Sequence, residues 1–185
     1  MSGTELSKTR GPRKAIEVPG LVELKERAKV VCKEVEGISF DEDQGGIFSK
    51  LIALKLPGLL LDLRAQLDLA QASKWTPVHE TLGIYHSWLR RKWNVAFLLS
   101  AVGSLMSVSI TLTDPERKEP VDYLTTHETV LRILEDADTA IAEIRSNEAN
   151  DIGTQFERIL QPYRKMADNL ERDGAAEAMA ALAGQ

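Results

Sequence analysis

Eighteen consecutive residues, Val95 to Leu112, carry no charge, and they follow almost directly on a tryptophan-flanked basic cluster, Trp88-Leu89-Arg90-Arg91-Lys92-Trp93. The run VAFLLSAVGSLMSVSITL has few ways to fold, and three are open to it. As a membrane span it sits at the short end of the usual length, roughly 20 residues. Arg90, Arg91 and Lys92 would then be its cytoplasmic flank, and Ser100, Gly103, Ser104 and Ser107 a helix-packing seam. As a water-soluble segment it continues a helix to about Gly103. Beyond that point Met106, Val108, Ile110 and Leu112 alternate with Ser107, Ser109, Thr111 and Thr113, the period of a half-buried strand. As a hairpin it pairs 95–102 with 105–112 across Gly103-Ser104. Period-two alternation is foreign to a lipid-facing helix. The reading that ranks first is therefore a buried helix followed by a strand, with the membrane span as the alternative.

Length and composition limit the rest. At 185 residues the chain fits one domain with tails and can bury one sizeable core. Few aromatics and many Leu and Ala favour helix packed on helix. The net charge of −5 is unevenly spread. Residues 1–92 hold 15 Lys/Arg against 12 Asp/Glu, net +3, whereas residues 93–185 hold 8 against 16, net −8. Such asymmetry suits a polyanion-facing front half or subunits meeting head to tail. Cys32 is the single cysteine, so no internal disulfide forms, and its apolar neighbours Val31 and Val35 predict a buried, inert thiol. The start, MSGTELSKTRGPRK, lacks the apolar core of a signal peptide, and the expected location is cytoplasmic, or the virion for a viral protein.

Residues 1–20 read as a flexible basic arm, with Lys8, Arg10, Arg13 and Lys14 available to a nucleic acid or an acidic surface. Residues 21–173 read as a single helical domain, and 174–185 as an Ala-rich tail, frayed or docked on a partner. Within the domain, Leu21, Leu24, Ala28, Val31 and Val35 form one stripe, and Gly37 stops that helix. The acids Asp41, Glu42 and Asp43 do not make a calcium loop, because its fifth and twelfth positions fall on Gly45 and Ile52. A break is predicted at Pro57-Gly58, with Leu60, Leu63, Leu67 and Ala70 as the face beyond it. Thr76-Pro77 opens a helix carrying Val78, Leu82, Tyr85 and Leu89 on its buried side. Thr125-x-x-Glu128 reads as a capping box. It precedes a seam at Val130, Leu134, Ala137, Ile141 and Ile144. Ile152, Phe156, Ile159, Tyr163, Met166 and Leu170 continue that spacing in a last helix, kinked or split at Pro162. The fold class is mainly α: a bundle of about five to six helices with at most one short strand or hairpin near 105–112.

Chemistry-bearing motifs are absent. The chain has no phosphate-binding glycine loop, no CxxC, no HExxH and no GxSxG. His79 and His86 are seven apart rather than the four of a helical zinc pair, so neither metal nor cofactor is expected. A deep pocket lined by His79, His86 or clustered acids would be the mark of an enzyme; without one the expectation is a non-catalytic protein. In the basic cluster, Arg90, Arg91 and Lys92 offer charge for phosphates, and Trp88 and Trp93 offer faces for bases.

EDADTAI, Glu135 to Ile141, followed by Phe156-Glu157, faintly resembles coat proteins of rod-shaped plant viruses, over nine of the 185 residues. No residue's role is carried over from that likeness. The expected function is a structural or assembly subunit that forms homo-oligomers. It would contact RNA or DNA through the arm and the tryptophan-flanked cations, in a coat- or nucleocapsid-like role. The alternatives are a membrane-associated protein anchored by residues 95–112 and a regulatory protein-protein interaction domain.

Overall fold

Apolar stripes at helical spacing dominate the chain, and each becomes a helix. The computed structural model describes residues 20–40, 44–147 and 151–183. Among them are six helices and no strand: α1 (Leu21–Glu36), α2 (Gln44–Ala53), α3 (Leu56–Ala72), α4 (Thr76–Thr113), α5 (Tyr123–Asn147) and α6 (Asp151–Ala183). The basic arm and the acids Asp41, Glu42 and Asp43 lie outside the described residues. The 38 residues of α4 make the longest of these helices, about 57 Å.

Two apolar cores form on α4. Helices α1, α2 and α3 close over its first half, burying Leu56, Leu59, Leu63, Leu82 and Leu89. Helices α5 and α6 close over its second half, burying Leu98, Leu105, Val130, Leu134, Phe156 and Leu160. Leu99 packs against both cores. At the junction, the Phe48 ring of α2 lies 4.7 Å from Trp93 and 6.3 Å from Phe97.

The strand expected over 106–113 is instead the last two turns or so of α4. A lone strand would leave its backbone donors and acceptors unpaired, and no second strand stands among the described residues to take them. The alternation was one of two periods present. Ser100, Ser104, Ser107 and Thr111 step by 4-3-4, and so mark one side of a helix. The hydroxyls of Ser104, Ser107 and Thr111 each donate to the carbonyl four residues back, at 3.1, 3.1 and 2.9 Å.

Other boundaries also shift for local reasons. The break predicted at Pro57 falls at Leu54-Lys55, where Lys55 takes a left-handed conformation (φ 56°). Pro57 then sits in the first turn of α3, where an N–H has no intrahelical acceptor to lose. Thr76 does begin α4, but its hydroxyl makes no cap bond, and Trp75 occupies the N-cap position. The cap of α5 is Asp122, not Thr125. One Asp122 oxygen accepts the Thr125 N–H at 3.0 Å and the other its hydroxyl at 2.8 Å. These bonds hold the Asp122 carboxyl below its usual pKa. In α6 the buried stripe passes through Leu160 rather than Ile159, which is 45 % exposed. The helix runs on through Pro162 as one element. Pro162 lies on the exposed side, as does Arg158, whose carbonyl it frees, so water can take the lost bond.

Candidate functional site

The basic cluster lies mid-way along α4, and the fold turns much of it inward. Arg90 faces α5, and its Nε and Nη2 donate to the two Glu143 oxygens at 2.7 and 2.9 Å. One turn on, buried Asn94 donates from Nδ2 to the same carboxylate at 2.9 Å. Lys92 places its ammonium 4.9 Å from the centre of the Phe40 ring and 5.3 Å from that of Trp88. Trp93 packs at a tilt of 38° against Phe48, and both tryptophans are half-buried. The arginine raises no obstacle to its own burial, because the bidentate pair meets its charge. Sequence reasoning missed Glu143 and Asn94. The available signal was Arg90 and Asn94 four apart on one helix face, which calls for a shared acceptor from another element.

An open groove of about 830 Å³ runs beside the cluster between α3 and α4, closed at one end by Glu143 and Ser146 of α5. Leu60, Leu61 and Leu67 form its apolar wall, and His79, His86 and Ser87 stand on the opposite one. The charged groups in the groove are already paired, Arg64 with Asp68 at 3.1 Å and Arg90 with Glu143. The groove thus brings together His79 and His86 in an open trough whose charges are paired. Among the described residues, no group of three or more His, Cys, Asp or Glu is placed to hold a metal ion.

Ionisation at the head of the groove sets a pH dependence. Burial, then the cations Arg64 and Arg90, push His86 below its ordinary 6.5. Hydrogen bonding from Arg90, then from Asn94, outweighs burial and pulls Glu143 below 4.5. In both cases the unfolded chain binds a proton at a pH where the folded chain does not. Stability therefore falls as pH drops below about 6.5, and falls further below about 4.5. Urea unfolding from pH 7.5 to 3.5 should show this decline, with His86→Gln flattening the upper part and Glu143→Gln the lower.

A third feature is the outer side of α4 beyond the junction. Buried Leu98, Val102 and Leu105 face α5 and α6, whereas Ser104, Met106, Ser107, Ile110 and Thr111 are exposed and uncharged. By length and composition alone this helix is long and apolar enough to cross a membrane. Its most apolar 18-residue window has a mean hydropathy of 2.0, and only 28 % of that window is buried. Nearby, α5 and α6 carry ion pairs, Arg164 with Asp138 and Arg145 with Glu157.

No protein-family model, curated protein or solved structure matches the chain. The functional reading therefore stands on the surfaces just described.

Proposed function

We propose that the chain is a non-catalytic, helix-rich assembly subunit that packs against copies of itself, in a coat- or nucleocapsid-like role. The observation that carries this reading is the uncharged, uncovered side of α4 over Ser104–Thr111. A helix whose outer face is wet throughout normally carries charge there. Here the hydroxyls are satisfied by their own backbone, and Met106 and Ile110 remain 44 % and 65 % exposed. Such a surface loses little on desolvation and gains from being covered. The charge division, net +3 before residue 93 and −8 from there on, supports a head-to-tail contact, a heterologous arrangement that builds rings or filaments.

Sedimentation velocity over a wide concentration range tests it. The full chain should associate, less so at high salt, and Met106→Glu with Ile110→Glu should weaken association at least about tenfold. A strict monomer at high concentration contradicts the reading.

Nucleic-acid contact is a separate part of the proposal. With Arg90 on Glu143 and Lys92 on aromatic rings, it falls chiefly to Lys8, Arg10, Arg13 and Lys14. Replacing those four by alanine should lower the log–log salt slope of single-stranded RNA binding by up to about 3. Equal slopes would dismiss the arm.

The low burial of the α4 window favours one second reading, a protein held at a membrane by residues 95–112. Flotation with lipid vesicles, and none in their absence, would support it. Recovery wholly in the aqueous fraction would remove it.

A further inference from the structure

Among the described residues, nothing covers the end of α6. Helix α6 runs antiparallel to α5 and meets its first turn at Gly174, where an added Cβ would lie 3.2 Å from Tyr123 Cβ and 3.9 Å from Leu124 Cδ2. There α5 ends, but α6 does not. Residues 175–183 continue as helix, and all nine are exposed, with Met179 and Leu182 each at 72 %. An isolated helix of this length is marginal in water, and its Ala, Met and Leu side chains favour cover.

The groove between α3 and α4 is complementary in three respects. It extends from His79 to Trp93, about 21 Å along α4, and the free end of α6 is about 13 Å long. Its wall includes Leu61, itself 72 % exposed. Its charges are paired within the wall, Arg64 with Asp68 and Arg90 with Glu143, which suits an end whose single charge over residues 175–183 is Glu177. The chain's own α6 end cannot reach the groove. It projects beyond Tyr123 at the far tip, and Trp93 lies about 30 Å back along α4 from Thr113.

We propose that residues 175–183 of one copy lie as a helix in the α3–α4 groove of the next, head to tail. This rests on the self-assembly reading and names the contact that propagates it. The mode is an amphipathic helix in a groove, with Met179 and Leu182 as anchors against Leu60, Leu61 and Leu67. So short a helix covers less than a standard interface, roughly 1,200–2,000 Å², so each contact is weak and the assembly depends on concentration.

Three chains decide it by sedimentation velocity: the full chain, a chain ending at Gly174, and Leu61→Glu in the full chain. The full chain should associate, and each altered chain alone should do so at least about tenfold more weakly. An equimolar mixture of the two altered chains should associate more strongly than either alone, because one supplies the groove and the other the helix end. Misfolded chains would not complement each other. If the shortened chain associates as well as the full chain, or the mixture associates no more strongly than either altered chain alone, the docking is wrong while self-assembly stands. If the full chain is a monomer throughout, both ideas fail.

Discussion

Ser100→Pro should lower stability by about 3 kcal/mol or more, while Ser100→Ala leaves it nearly unchanged. Ser100 lies at mid-helix, just past the junction of the two cores, and is half-buried. A proline there removes the N–H that bonds to the Ala96 carbonyl and drives its ring against that carbonyl. Because both cores are built on α4, bending it at this point misaligns α5 and α6 against the packing of α1 to α3. For a chain of this size the loss corresponds to a fall in Tm of roughly 6–12 °C. A scan showing no shift would mean that the chain turns near residues 100–104 instead of continuing as helix.

Leu98→Ala should be about as damaging, at roughly 2–5 kcal/mol, whereas Ile110→Ala should change stability by less than about 0.5 kcal/mol. Leu98 is fully buried among Val130, Leu134 and Leu160, and its truncation leaves a cavity that helices packed along their length close only in part. Ile110 is 65 % exposed on the outer side. The contrast separates the helix from the strand. Period-two pairing would put Met106, Val108, Ile110 and Leu112 together in the core, making Ile110→Ala severe. Urea denaturation of both variants at low protein concentration reads the difference free of self-association.

Much of the architecture was legible because burial in a helical bundle repeats every three or four residues. The stripes Ala28-Val31-Val35 and Val130-Leu134-Ala137-Ile141-Ile144 are buried as their spacing requires. Where two periods coincide, spacing alone does not decide. In 106–113 both fit, and what selected the helix was the lack, among the described residues, of a strand to pair with, which local spacing does not reveal. Ile159 and Leu160 are adjacent, and either continues the stripe; packing against α5 buried the second. The site was less legible. That Arg90 points at Glu143 depends on α5 returning antiparallel along α4, which sets two residues 53 apart side by side. Nor does local sequence reveal that α6 outlasts α5, since that follows from where each helix begins.

Power-saturation electron paramagnetic resonance of a nitroxide at position 107 tests most directly whether the outer side of α4 is covered by a second copy. Ser107→Cys supplies the label site, while burial and Glu36 push the native Cys32 thiol up to about 11, leaving it slow to react near pH 7.5. At high protein concentration the label should be immobilised and shielded from a water-soluble relaxing agent, and dilution should release it. A label equally mobile and equally open to water at every concentration would contradict the account, as would one shielded from water yet open to oxygen only when lipid vesicles are present.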